Sequence, residues 1–124
     1  MRGMYRCCVL IGIFFSVFPS AFSDESLPTG NAADGEKIFY RMCLYCHTSD
    51  EKSKFGPSLL WIGERRSTAW LHDWLENPSE MIEHDEYAQI LRENNEYELT
   101  MPTLPDMQDA QKRADVIAYL LSAF

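Results

Sequence analysis

The reading of this chain turns on five consecutive residues, Cys43-Leu44-Tyr45-Cys46-His47. A Cys-x-x-Cys-His run reads as an attachment site for a c-type haem. Two thiols three positions apart on a helical turn can each form a thioether to a porphyrin vinyl group. The imidazole that follows is then held beneath the ring to ligate iron. Two other chemistries use a Cys-x-x-Cys pair. A redox dithiol usually sits beside a βαβ pattern, and none is visible here. A structural zinc site needs four ligands, and outside the motif the histidines are His72 and His84, which are not paired in sequence. The expectation is one haem c attached covalently through Cys43 and Cys46.

Upstream, Asn31 reads as the N-cap of a first helix, with Asp34 favouring its positive end. Ile38, Phe39, Met42 and Cys46 fall at helical spacing on one face. Gly35 lies on or near that face. A glycine inside a helix costs about 1 kcal/mol relative to alanine, so a packing reason is expected, such as the close approach of another helix. Downstream, a polar loop over 48–54 leads into Gly56-Pro57-Ser58-Leu59. A proline carbonyl is free to accept a hydrogen bond. An acceptor for the second ring nitrogen of His47 would fix its tautomer and raise its basicity. Pro57 is placed for that role; without the haem motif the same residues would read as an ordinary Gly-Pro turn.

A second helix is expected over 68–77, with Ser67 as N-cap and Pro78 as terminator. Its stripe of Trp70, Leu71, Trp74 and Leu75 has the spacing of plain core, and in a domain this small, where a haem would itself be the core centre, it can be cofactor wall as well. Residues 79–100 are acidic and hold a third helix over about 85–94. Tyr87, Ile90 and Leu91 are expected on its buried side, with Glu83, Asp85, Glu86, Glu93, Glu96 and Glu98 as a solvated face. Met101-Pro102-Thr103-Leu104-Pro105 is a proline-bounded loop. A last helix is expected from Asp106 onward, with Asp109 in its first turn and Ala110, Ala114, Ile117, Ala118 and Leu121 along one side. No segment alternates as a strand does.

The N-terminal residues have a different character. Arg2 and Arg6 make a basic start, an apolar run covers 7–18, and Ala21-Phe22-Ser23 is a small-x-small pattern before Asp24. This is the anatomy of a secretory signal peptide over 1–23. The other reading is a retained membrane anchor, which would be at the short limit for spanning a bilayer and is interrupted by Pro19. Residues 24–30 lack periodicity and read as a flexible lead-in, leaving 31–124 as one small domain. Of the four cysteines, Cys7 and Cys8 fall in the signal, so an exported product keeps only the pair inside the motif. Export to the periplasm suits covalent haem, which is normally attached outside the cytoplasm. The formal net charge of −8 becomes more negative once Arg2 and Arg6 are removed. Such a surface argues against nucleic acid, which needs a basic footprint. It favours redox partners carrying a basic docking patch, with association falling as salt rises.

With these residues in place, 31–120 resembles the class I c-type cytochromes, small monohaem electron carriers. Gly35-x-x-x-Phe39 before the motif is similar to the family's N-terminal helix, and Gly56-Pro57-x-Leu59 to its proline loop. Leu75-x-Asn77-Pro78 resembles the end of its middle helix, Met101-Pro102 its axial methionine motif, and Val116-x-x-Tyr119-Leu120 its C-terminal helix. The resemblance implies His47 and Met101 as axial ligands and Pro57 as acceptor for the His47 ring. It also implies that Gly35 and Phe39 pack on Val116 and Tyr119 where the terminal helices cross. Of the other methionines, Met42 adjoins the attachment motif, Met81 follows closely on the middle helix, and Met107 falls in a helical turn. Pro102 holds Met101 extended. The alternative is that Met101 fills an apolar gap and that His72 or His84 ligates instead. The segment between Pro78 and Met101 is longer than in mitochondrial-type members. Trp70 does not align cleanly with the family's propionate-binding tryptophan, which leaves Trp70, Arg65 and Arg66 open as propionate contacts.

The expectation is an all-α cytochrome c fold, about four helices wrapped around one covalent haem. It would act as a periplasmic one-electron carrier between respiratory redox partners, and not as an enzyme. The membrane would be involved only if the signal segment stays as an anchor. Two other functions compete with this one: a five-coordinate, ligand-binding or peroxidase-like haem protein, and a haem subunit of a larger redox complex.

Overall fold

The computed structural model describes residues 26–124, so the signal peptide expected over 1–23 lies outside the described residues. These residues form six α-helices and two 3-10 turns, with no strand among them. The all-α expectation holds, with two more helices than the four foreseen.

Helix α1 (Ala32–Met42) starts where expected, because the Asn31 side chain accepts a hydrogen bond from the Ala33 amide at 3.0 Å. Its partner is the last helix, α6 (Ala110–Ala123), and this crossing is the most extensive contact between elements. The reason is steric. A Cβ on Gly35 would lie 1.9 Å from the Asp115 carbonyl oxygen and 2.9 Å from the Val116 amide nitrogen. Only a residue without a side chain lets the two backbones meet there. The crossing is clamped at its start by the Asn31 amide, which donates to the Asp115 carboxylate at 2.7 Å. Further along, Phe39 packs on Tyr119 with ring centroids 5.2 Å apart.

The α-helical part of this first segment ends at Met42, one residue before the motif. Cys43–Tyr45 tightens into a 3-10 turn, so Cys46 is not carried on the α1 face as its spacing suggested. The Cys46 and His47 amides both donate to the Cys43 carbonyl, at 3.1 and 2.9 Å. The loop beyond is pinned to the motif by the Gly56 amide on the Cys46 carbonyl at 2.7 Å, and by the Leu59 amide on the Thr48 carbonyl at 3.0 Å.

A short α2 (Ile62–Arg65) precedes α3 (Thr68–Glu76), which Ser67 caps by accepting from the Trp70 amide at 3.2 Å. Pro78 does end α3, but it also begins α4 (Pro78–His84), a helix absent from the sequence expectation. Proline is favoured at a first helical position because its missing N–H has no partner there in any case. Asn77 caps the new helix by accepting from the Glu80 amide. Helix α5 (Glu86–Glu93) follows under an Asp85 cap. Its buried residue is Ala88, while Ile90 is exposed, contrary to expectation. At about 100° per residue, Ile90 lies on nearly the opposite side of the helix from Ala88.

The last helix also starts later than expected. Pro105–Gln108 is a 3-10 turn, and Asp109 caps α6 by accepting from the Gln111 and Lys112 amides. Leu121, expected on the buried side of α6, is exposed, and Met107 in the 3-10 turn is core instead. The buried cluster joins Phe39 of α1, Leu71 and Leu75 of α3, Met107, and Val116, Ile117 and Leu120 of α6. Arg113 ties these elements together, donating to the Met107 carbonyl at 2.6 Å and pairing with Glu76 at 3.2 Å. Among the described residues no helix is long and apolar enough to cross a membrane.

Candidate functional site

Between the motif, α3 and the 99–102 loop lies a cavity of about 370 Å³. Cys43, Cys46, His47 and Pro57 line one part of it, and Leu71, Trp74, Leu75, Val116 and Leu120 form apolar walls. Met101 and Pro102 also line it. The acidic insertion contributes Tyr87, Leu91, Arg92, Asn95 and Leu99. Tyr87 and Leu91 are on the buried side of α5 as their spacing predicts, but nothing local in the sequence indicates that the insertion walls this cavity. Asn95 anchors the insertion to the motif loop by donating to the Phe55 carbonyl at 2.8 Å.

The His47 ring is fixed from two sides. Its Nδ1 lies 2.8 Å from the Pro57 carbonyl oxygen. A carbonyl can only accept, so Nδ1 carries the proton and the Nε2 lone pair is left free. Burial holds the ring below the usual histidine pKa, against the opposing effect of the Pro57 hydrogen bond. A neutral imidazole with a free Nε2 is the form that binds metals. Gly56 makes the arrangement possible, since a Cβ there would lie 2.6 Å from His47 Cε1.

The Cys43 thiol lacks the mark of an activated dithiol. Burial pushes the Cys43 thiol up to about 11, and Cys46 adds to the effect. Redox-active pairs have lowered values instead. Nor is there a zinc cluster: among the described residues no three His, Cys, Asp or Glu side chains gather in a way that could hold a metal.

At Met101 the structure shows a contact that the sequence did not. The Trp74 indole Nε1 donates to the Met101 sulfur at 3.0 Å. Trp74 stacks on Trp70 with centroids 5.3 Å apart and planes 12° from parallel. Trp70 in turn meets Tyr87 edge-on at 5.6 Å. The Arg66 guanidinium sits over the Tyr87 ring, 3.1 Å from its centroid. His72, the alternative ligand, is buried but does not line the cavity, and His84 is exposed.

The comparisons agree with this geometry. Residues 30–120 match the family model described as cytochrome c oxidase, cbb3-type, subunit III. Cytochrome c of Gossypium barbadense is 34% identical over 105 residues, covering 79% of this chain and 95% of that protein. Cytochrome c2 of Rhodopila globiformis is 30% identical over 106 residues, covering 77% of this chain and 95% of its own. Cytochrome c from Rhodothermus marinus superposes with a TM-score of 0.60 at 30% identity, over 72% of each chain.

The chain belongs to the class I c-type cytochromes. As a member of that family it carries haem c bound covalently through Cys43 and Cys46 and serves as a haem-based electron carrier for redox protein partners. The residues present fit the group. The cavity walls are apolar, as the porphyrin faces require. The Trp70 Nε1 is buried without a hydrogen-bond partner in a cavity-lining side chain. Such an orphaned donor is costly, and a haem carboxylate is a chemically suitable acceptor for it. Arg65 lines the same cavity, donating to the Ser58 and Leu60 carbonyls at 2.8 and 3.1 Å. Of the three candidate propionate contacts, then, Trp70 and Arg65 reach the cavity, whereas Arg66 is engaged with Tyr87 and Trp70.

Proposed function

We propose that His47 and Met101 are the two axial ligands of an exported, one-electron carrier, with Pro57 orienting His47. When bound, the haem supplies an Fe(III)/Fe(II) couple, and methionine ligation favours a high reduction potential. The observation that carries the reading is the preset His47 ring, whose proton is committed to Pro57 and whose Nε2 is therefore available within a cavity that Met101 also lines. With both axial positions filled by the protein, no iron position remains for substrate, so the chain transfers electrons and does not act as an enzyme. The reading of 1–23 as a secretory signal supports a periplasmic product.

Its partners would be respiratory redox proteins with a basic docking patch. The acidic formal charge of −8 supports this, as does the cluster of Glu93, Glu96 and Glu98 in the segment that also lines the cavity. Association should slow as salt screens the attraction. A second reading, as a subunit of a terminal oxidase, is favoured by the description of the matching family model. Stoichiometric co-purification with membrane oxidase subunits would select it.

The decisive experiment is optical. Thioether ligation gives oxidised protein a weak charge-transfer band near the red edge of the visible spectrum. Met101→Ala should abolish that band and let reduced iron bind carbon monoxide. A band that persists in Met101→Ala would overturn the axial assignment. Rapid carbon monoxide binding by the unmutated protein at neutral pH would favour the five-coordinate, ligand-binding alternative.

A further inference from the structure

We propose that Asn95 is a positioning residue: it latches the segment leading to Met101 onto the loop that holds His47, and so keeps the cavity closed to small ligands. The inference rests on the axial reading of Met101 above. One side chain makes both halves of the latch. Its Oδ1 accepts from the Tyr97 amide at 2.9 Å and the Leu99 amide at 3.0 Å, which folds 95–99 into a tight strap just ahead of Met101. Its Nδ2 donates to the Phe55 carbonyl at 2.8 Å, 40 positions away. The residues after Phe55 are those that fix His47. The Gly56 amide donates to the Cys46 carbonyl, and the Pro57 carbonyl accepts from His47 Nδ1. Asn95 thus joins the segment bearing one proposed ligand to the segment that orients the other. Phe55, Asn95, Leu99 and Met101 all line the cavity, and Phe55 and Leu99 are also exposed, so the latch stands at the cavity rim.

Three features suit Asn95 to this task. A side-chain amide donates and accepts at once, so it can shape the strap and fasten it together. The strap depends on the fastening, because Tyr97 and Leu99 are 53% and 50% exposed and burial does not hold them. Its aromatic contact falls on the same anchor, with the Tyr97 and Phe55 ring centroids 5.2 Å apart. The anchor itself is braced, since Lys54 next to it donates through Nζ to the Leu44 carbonyl at 3.1 Å. Finally, the strap is stiff. Glu98, between the two bonded amides, has a φ of 54°, a left-handed conformation that a non-glycine residue keeps only where its surroundings impose it. A stiff strap freed from Phe55 moves as one piece and carries the start of the Met101 loop with it. Closure of this kind separates an electron carrier from a ligand-binding haem protein.

The test uses holoprotein carrying Asn95→Asp. Aspartate keeps an oxygen for the Tyr97 and Leu99 amides but sets a second acceptor, not a donor, against the Phe55 carbonyl. The readout is the rate at which excess neutral imidazole binds the oxidised protein, a rate limited by departure of Met101. Loss of one neutral hydrogen bond should raise it by about three- to tenfold. The charge-transfer band should persist before imidazole is added. Asn94→Asp places the same charge on the exposed neighbouring residue and leaves the latch alone, so its rate should match the unmutated protein. If Asn95→Asp yields no holoprotein, Tyr97→Ala decides: it removes the ring contact with Phe55 and should also speed imidazole binding. A rate in Asn95→Asp no faster than in the unmutated protein, or one equalled by Asn94→Asp, would overturn the proposal. An unchanged rate in Tyr97→Ala would do so where that variant decides. If Met101→Ala loses the band while the latch variants change nothing, only the role of Asn95 fails. If Met101→Ala keeps the band, the axial reading fails and this proposal fails with it.

Discussion

Gly35 offers the sharpest quantitative test of the fold, because two effects of opposite sign act on one substitution. In an exposed helix, Gly→Ala stabilises by about 0.5–1 kcal/mol through backbone entropy. At position 35 the new Cβ would lie 1.9 Å from the Asp115 carbonyl oxygen and 2.4 Å from its carbon. Both are backbone atoms of α6, so no rotamer change can relieve the contact. The helices must separate by about 1 Å or more, in an interior packed to crystal density. Overpacking of this kind costs about 1–3 kcal/mol, occasionally more. Separation also strains the bond from the Asn31 amide to the Asp115 carboxylate, and a hydrogen bond to a charged group contributes about 1.5–3 kcal/mol. The net expectation for Gly35→Ala is a loss of about 2–4 kcal/mol, or a fall in Tm of roughly 10–20 °C for a domain of this size. Gly63→Ala is the matched control. Its Cβ would meet the Leu121 side chain alone, with Cδ2 at 2.6 Å and Cγ at 3.9 Å, and that exposed side chain can swing aside. Thermal unfolding of both holoproteins, followed by circular dichroism, reads the difference. A Gly35→Ala protein that melts at or above the unmutated midpoint would refute the crossing as the reason for this glycine.

Two further outcomes are expected. Both cysteines should form thioethers, so the mature holoprotein should carry the mass of one haem through acid-acetone extraction, and Cys43→Ser or Cys46→Ser should sharply reduce holoprotein yield. A mass without covalent haem would contradict the attachment. His72 is buried with its Nδ1 unpartnered. Burial holds its pKa below 6.5, aided by the Arg113 charge and opposed by Asp73 and Glu76. The unfolded chain therefore takes up a proton more readily, so the neutral ring's contribution is fully present above about pH 6.5 and fades as pH falls below it. His72→Leu should flatten the decline in stability as pH falls below about 6.5. Parallel pH profiles for the two proteins would assign that decline elsewhere.

What the sequence could determine is what depends on near neighbours. The attachment motif is legible because its thiols and imidazole must sit within one turn, so the chemistry appears as spacing. The caps at Asn31 and Ser67 are legible for the same reason: each side chain reaches an amide two or three residues ahead. The glycine at 35 announces a close approach, because nothing local explains its cost. Elsewhere the same local rules misled. Pro78 carries both meanings at once, ending α3 and starting α4. Ile90 and Leu121 have apolar side chains but no neighbour to bury them, because which helical face is covered is decided by what packs there.

Tertiary structure alone decided the contacts between residues far apart in the chain. Trp74 meets Met101 across 27 positions of sequence, and Asn95 reaches Phe55 across 40. The acidic insertion became a cavity wall because α4 and α5 turn back beside α3 far enough to set Tyr87 against Trp70. No periodicity encodes such pairings. They arise when chain closure brings remote groups to within a hydrogen-bond length, and that depends on the packing of the whole core.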